Sequence, residues 1–160
     1  MAKKKNANTL IGFLPLVLAV VAVIVFLVMN AITVGDEAET VHTGMQVLFG
    51  YKETSKILGN EVTTQYLSFS VMTLIALLAI VAGGVLPTMN NKLFTLIAAA
   101  ACIVGGVLLF MVPQFVVFNT ENILINAVYE GNIHLGIGSI IGGIVACVAG
   151  LANLYIVTQK

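Results

Sequence analysis

Four long apolar runs without a single acid, lysine or arginine constrain this chain more than any other feature: 10–34, 66–86, 93–118 and 133–157. Each holds about 20 to 26 residues, and at about 1.5 Å of rise per residue each reaches across a hydrocarbon core about 30 Å thick. A buried helix of that length in a water-soluble domain shows a polar stripe wherever it meets solvent, and these runs show none. Hydrophobic residues make up 59% of the 160 and charged ones only 9%, which leaves too little polar surface to cover a soluble globule of this size. The sequence therefore predicts an all-α membrane fold: an antiparallel four-helix transmembrane bundle, one domain over 1–160, with the lipid bilayer as its first partner.

There is no arginine, so lysine alone sets the expected orientation. Lys3, Lys4 and Lys5 precede the first run, Lys92 lies in the short turn between the second and third, and Lys160 ends the chain. Four crossings put all of these on one side. The other side receives every acid, Asp36, Glu37, Glu39, Glu53, Glu61, Glu121 and Glu130, with Lys52 and Lys56 among them. Five lysines against seven acids less two lysines is +5 against −5. Excess lysine in short flanks marks the cytoplasmic side. A multi-pass protein of the cell (plasma) membrane is expected, with N- and C-termini cytoplasmic and loops 35–65 and 119–132 outside. The first run has the basic start of a signal peptide, but its apolar stretch is too long and no small-x-small cleavage site follows, so it reads as a retained span. The lack of a long basic block argues against nucleic acid.

The 35–65 loop is the only connecting segment large enough for structure of its own. Met45, Val47, Phe49 and Tyr51 recur at period two, and Gly59-Asn60 separates Lys56-Ile57-Leu58 from Glu61-Val62-Thr63, a two-residue hairpin signal. A small extracellular β-layer is expected there, with Met45, Val47, Phe49 and Tyr51 as its interaction face. Two or three strands are marginal alone, so the layer must lean on the helices or on another subunit. In the second outer loop the apolar stretch 123–128 suits an interfacial helix or a lid. The inner turn 87–92, opened by the helix-stopping Pro87, is so short that the second and third runs form a hairpin.

The most specific pattern lies in the third and fourth runs. Cys102-Ile103-Val104-Gly105-Gly106 is nearly repeated in reverse as Gly142-Gly143-Ile144-Val145-Ala146-Cys147. Antiparallel helices bring to equal depth residues whose numbers share a constant sum, which sets Cys102 near Cys147 and Gly105 near Gly143. Glycine and alanine let helix backbones approach closely, and in lipid that dispersion contact replaces the hydrophobic drive for association. Gly136, Ser139 and Gly143 extend the small surface of the fourth run, and Gly142, Ala146 and Gly150 form a second row. One row is expected to serve the third run and the other a second neighbour, in this chain or another. Plain helix packing is the simpler reading; a gate hinged on the glycines is its rival.

Polar residues gather near the outer third of the runs: Asn30, Thr33, Ser68, Ser70, Gln114 and Ser139. They read as interhelical hydrogen-bond glue or, in a ring of chains, as the vestibule of a pore. Pro113 beside Gln114 is expected to free the carbonyl of Leu109 and bend the third helix.

Little in the chain points to catalysis. Cys102 and Cys147 lack C-x-x-C spacing and lie within apolar runs, away from the exposed, activated thiolate that thiol redox chemistry requires. His42 and His134 sit in different loops without metal-ligand spacing; a site joining His134 to Glu130 and the acids of the first outer loop is the one metal arrangement to test. Gly136-Ile137-Gly138 lacks the strand and lysine of a phosphate loop, and the first run lacks the acid that small four-span drug exporters use to couple protons. No catalytic residue, metal or cofactor is expected.

Basic cytoplasmic ends, a β-prone first outer loop, a tight inner turn and a shorter second outer loop together resemble the claudin-like tetraspan membrane proteins. Gly44-Met45-Gln46-Val47-Leu48-Phe49 stands about where that family has its glycine-leucine-tryptophan segment, although this chain has no tryptophan and no cysteine pair in the loop. The layout is also similar to that of small four-helix membrane proteins of Gram-positive bacteria. The resemblance implies lateral association and an outer layer shown to partners. The expected function is a non-enzymatic structural or accessory integral membrane protein that forms a homo-oligomer or binds another envelope protein through its small-residue helix faces and outer loop. The alternative is a subunit of an oligomeric channel or small-solute transporter.

Overall fold

The computed structural model describes residues 2–35, 40–57, 60–89, 91–116, 118 and 132–159. Three helices are long and apolar enough to cross a membrane. The first is Val71–Met89, made of α3 (Val71–Val85) and a 3₁₀ turn (Leu86–Met89); the others are α4 (Lys92–Phe110) and α6 (Ile137–Gln159). A further helix, α1 (Ala2–Val28), is apolar over Gly12–Val28. Side-by-side contacts join α1 to α6, α6 to α4, α4 to α3 and α3 to α1. The starts of α3 and α4 follow from side chains that take up otherwise orphaned backbone N–H groups. Ser70 accepts from Thr73 N–H, and Asn91 accepts from Leu93 N–H at 2.9 Å.

The apolar runs extend further than the helices. Residues 30–34 form strand β1 (Asn30–Val34), not the end of a span; Tyr66 and Leu67 close strand β4 (Asn60–Leu67); residues 133–135 form β5 (Ile133–Leu135). A hydropathy run records burial alone, and a buried strand satisfies it as well as a helix does. Asn-Ala-Ile-Thr-Val is rich in β-branched residues, and Ala31 and Ile32 are wholly buried. In the third run the expected bend is a break: α4 stops at Phe110, Met111 leaves helical geometry, and a short α5 (Val112–Phe115) follows with Pro113 in its first turn. Proline has no N–H to donate and its ring clashes with the preceding turn.

The strands lie at the end of the helices where α1 and α4 finish and α3 and α6 begin. β1 is the centre of a three-stranded antiparallel sheet, flanked by β2 (Thr40–Thr43) and β5. Ile32 faces His42 on one side and Leu135 on the other. β3 (Tyr51–Ile57) and β4 form a separate antiparallel hairpin running from Tyr51 opposite Leu67 to Ile57 opposite Asn60. Its connection is therefore 58–59, one residue earlier than the Gly59-Asn60 signal suggests, and lies outside the described residues. So do the 123–128 stretch and the acids Asp36, Glu37, Glu39, Glu121 and Glu130.

Between β2 and β3 the period-two reading of Met45, Val47, Phe49 and Tyr51 fails. Gly44–Phe49 is a helix, α2, and only Tyr51 belongs to a strand. Its start is a capping box: Gln46 N–H donates to Thr43 Oγ1 at 3.4 Å and Thr43 N–H donates to Gln46 Oε1 at 3.0 Å. Thr-x-x-Gln is a readable helix-start signature, and here it outweighs the alternation. Gly50 ends α2 at φ 90°, a left-handed conformation that glycine adopts without Cβ strain, with a backbone N–H bond to Gln46 C=O.

One core runs from the helices into this layer. Ala19, Ala22 and Phe26 of α1 meet Ile32, Val47, Leu48 and Leu67 above and Ala76, Ile80, Leu109 and Ala146 alongside. Gly44 is its tightest joint, since a Cβ there would lie 2.7 Å from the carbonyl carbon of Phe26. Gly44→Ala is expected to destabilise the protein by about 1–3 kcal/mol, the usual penalty for overpacking. Gly12→Ala, where a Cβ meets nothing within 4 Å, serves as the near-neutral control in the same thermal-unfolding series in detergent.

Candidate functional site

Above the helices, β2, α2, β3 and β4 together enclose a polar cleft of about 200 Å³ lined by Thr40, Val41, His42, Gln46, Tyr51, Glu53 and Tyr66. β2 brings His42 into the layer with only 2% of its surface exposed. Its ring lies 5.4 Å from that of Tyr51 at a tilt of 56°, and Tyr51 lies 6.0 Å from Tyr66 at 33°. Tilted aromatic contacts of this kind hold rings in fixed positions. Burial lowers the His42 pKa below its ordinary 6.5, while a side-chain hydrogen bond with Gln46 works in the opposite direction. The imidazole is therefore neutral at physiological pH. The cleft combines that ring, two phenols, an amide and the exposed carboxylate of Glu53, a set suited to hydrogen bonding and aromatic contact with a small polar group.

The small residues singled out in the sequence sort onto three interfaces. Gly106, Gly143, Cys147 and Gly150 lie between α4 and α6. A Cβ on Gly106 would stand 2.8 Å from both Cys147 Sγ and Gly143 C=O, and one on Gly150 would stand 3.0 Å from Ala99 C=O. Cys102 and Gly105 turn instead to α3: the Cys102 thiol donates toward Ile80 C=O at 3.8 Å, and a Cβ on Gly105 would lie 2.9 Å from Ala76 C=O. Gly106, not Gly105, is thus the glycine opposite Gly143, and the two cysteines serve different contacts. Gly142 faces α1, with a Cβ 3.1 Å from Ala22 C=O, and Gly136 and Gly138 crowd the backbone of residues 29–31. Ala146 is fully buried in the shared core. The second small row therefore meets α1 and α4 within the same chain.

The residues of the predicted polar layer do not share one role. Ser139 Oγ donates to Ala31 C=O at 2.8 Å. Ser70 caps α3, lies 2.8 Å from the Thr73 hydroxyl and donates to Phe115 C=O at 3.3 Å. Gln114 is exposed, and Asn30 stands at the start of β1 opposite Thr43. Ser70 and Ser139 are bonded to backbone carbonyls, the glue arrangement, and Ser68 Oγ accepts from Gln65 Nε2 at 3.2 Å. Of the proposed interaction face, Met45 and Phe49 are exposed, Val47 is buried in the core, and Tyr51 lines the cleft. His134 is exposed on β5 opposite Thr33.

Two functional-looking residues escaped the sequence reading. His42 has no motif around it, and only strand pairing carries it to Tyr51. Asn153, inside α6, is fully buried; its Nδ2 donates to Gly83 C=O at 3.0 Å and reaches Cys102 Sγ at 4.0 Å, tying α6 to α3 and α4. The one amide in the apolar run 133–157 beyond its first turn was the available signal, since such a group in hydrocarbon must find a partner. Among the described residues no group of three or more His, Cys, Asp or Glu is placed to hold a metal ion. No family model, curated protein or solved structure matches the chain.

The lowered pKa of His42 gives a signed pH dependence. Below pH 6.5 the unfolded chain takes up a proton at this imidazole before the folded chain does, so stability falls as pH drops from 6.5 until the folded His42 also titrates. The thermal midpoint of the wild type is expected to decline through that window, and His42→Phe, which keeps a ring but cannot titrate, is expected to flatten the decline. Tyrosine near-ultraviolet circular dichroism in detergent at stepped pH reads both.

Proposed function

We propose that the chain is a four-span protein of the cell membrane, an antiparallel four-helix bundle with both termini cytoplasmic and its strands outside. We further propose that it acts as a non-enzymatic structural or accessory subunit which self-associates or binds another envelope protein through that outer layer. The helix contacts support the bundle: α1 packs against α6 and α3 along its apolar stretch Gly12–Val28. Lysine placement supports the orientation, with Lys92 at the end opposite the strands and Lys52, Glu53 and Glu61 in the strand layer. We propose with it that the layout is similar to that of the claudin-like tetraspan proteins, a resemblance that rests on the order of parts in the sequence.

The β3–β4 hairpin carries the functional reading. Its two strands contact chiefly each other, and Lys52, Glu53, Thr54, Glu61 and Thr63 are exposed along it. Tyr51 and Leu67 at its base join the core, and Thr54 and Thr63 hydroxyls meet across the ladder at 3.1 Å. A two-stranded ribbon adds little stability by itself, and strand edges are ready-made templates for another chain. The small-residue helix faces, by contrast, are occupied by helices of the same chain, so association is assigned to the outer layer and not to those faces. Ser70 and Ser139 donate to carbonyls and Ser68 accepts from Gln65, and no specific observation favours the channel reading.

Native mass spectrometry in mild detergent is expected to show complexes containing more than one chain, and excision of the ribbon between Lys52 and Gln65, closed by a glycine-serine turn, is expected to reduce them to monomer. A full-length chain that is strictly monomeric and without partners sinks the proposal. Orientation is checked separately in a Cys102→Ala, Cys147→Ala background. Thr54→Cys is expected to react with an impermeant maleimide on intact cells, and Thr158→Cys only after permeabilisation.

A further inference from the structure

The exposed side of α2 has an unusual composition for a helix held in a polar layer. Met45 and Phe49, one turn apart on the same face, are 52% and 64% exposed. The rest of α2 is accounted for: Val47 and Leu48 enter the core, and Gln46 lines the polar cleft. Two exposed apolar side chains on a rigid, capped turn call for an apolar surrounding.

The height of α2 identifies that surrounding. Gly44 N–H donates to Met29 C=O at 3.3 Å, and Ser70 N–H donates to Leu48 C=O at 3.1 Å. Both ends of α2 are thereby tied to the last residue after α1 and the residue before α3. From Val71 to Met89 there are 15 α-helical and 4 3₁₀ residues, together about 30 Å long, the thickness of a hydrocarbon core. Val71 therefore stands at one hydrocarbon boundary when Met89 stands at the other, and α2 stands beside Val71. Apolar residues next to those tied positions are exposed as well: Val28 is 69% exposed, Phe69 45% and Val71 57%.

We propose that α2 is a lipid anchor, with Met45 and Phe49 seated in the headgroup and upper acyl region of the same leaflet that surrounds α1 and α3. Short apolar faces of this kind gain stabilisation by lying in the interface with their polar side toward water, and here Gln46 and the cleft are the water side. The anchor fixes the outer layer against the bilayer, so the cleft and the β3–β4 hairpin keep a set height and tilt above the membrane. This inference rests on the membrane-spanning reading given above.

Because the chain contains no tryptophan, a single Phe49→Trp substitution reports from this position alone. The full chain is reconstituted in phosphatidylcholine and phosphatidylglycerol vesicles whose acyl chains carry bromines either near the headgroup or near the chain ends. Leu78→Trp, exposed at 58% in the middle of α3, marks the hydrocarbon, and Thr54→Trp on the hairpin marks water. Phe49→Trp is expected to emit at shorter wavelength than Thr54→Trp and to lose most of its emission to the shallow bromines, more than to the deep ones. Met45→Trp should repeat this if the Phe49 variant folds poorly. Emission from both α2 variants that is water-like and unquenched while Leu78→Trp is quenched overturns the anchor and leaves the spanning reading standing; failure of Leu78→Trp as well overturns both. Blue-shifted emission that no brominated lipid quenches, and that turns water-like as the protein is diluted in lipid, shows a second copy covering the face and also overturns the anchor.

Discussion

The carbonyl of Ala31 is the point on which the strand end of this protein turns. It is buried at the top of an apolar helix pack and accepts two donors, Gly136 N–H at 2.8 Å and Ser139 Oγ at 2.8 Å. At that depth an unsatisfied backbone group costs several kcal/mol, so once α1 stops, the chain that continues it must be paired on every side. β1 meets this by running as a central strand between β2 and β5, with α6 starting directly beneath it. Gly136 and Gly138 permit the approach, since a Cβ on Gly138 would lie 3.0 Å from Asn30 C=O. The start of the last helix is thereby locked to the end of the first.

From that joint the structure grades from large to small. Near the strands the core is built of Phe26, Ile32, Leu67 and Leu109, all fully buried. Toward the other end it is built of Ala98, Ala99 and Ala149, and at Gly83 and Gly150 a Cβ would stand within 3.0 Å of the Ala98 and Ala99 carbonyls, so backbones approach closely there. The exposed sides of the same helices carry large aliphatic residues, such as Val17, Ile24, Leu78, Ile97 and Leu151. A protein in water buries its large apolar residues and exposes polar ones; this arrangement instead suits a surrounding as apolar as the side chains themselves. Asn153 is the exception: its Nδ2 is spent on Gly83 C=O beside small residues, while its Oδ1 is buried without a hydrogen-bond partner among the described residues.

The strand layer is where chemistry is possible. Its polar cleft stands on one side of α2 and its exposed apolar face on the other, so a single six-residue helix separates two environments. His42 links them energetically: it is buried, ring-packed against Tyr51 and hydrogen-bonded to Gln46 of α2. The hairpin rising from Tyr51 is the part of the layer least committed to the rest of the chain.

By itself the sequence determined the existence of membrane-length apolar helices in the second, third and fourth runs, the reverse-repeated small residues that let helices close up, and the hairpin around 57–60. These depend on length, composition and local turn chemistry, which do not require knowing a neighbour. Only the tertiary structure decided that the tips of three runs are strands, that Gly44–Phe49 coils instead of extending, that Gly106 and not Gly105 meets Gly143, and that His42 and Asn153 matter. Each of those turns on where a backbone carbonyl finds its donor or which helix face meets which partner, and hydropathy, being a sum along the chain, carries no information about either.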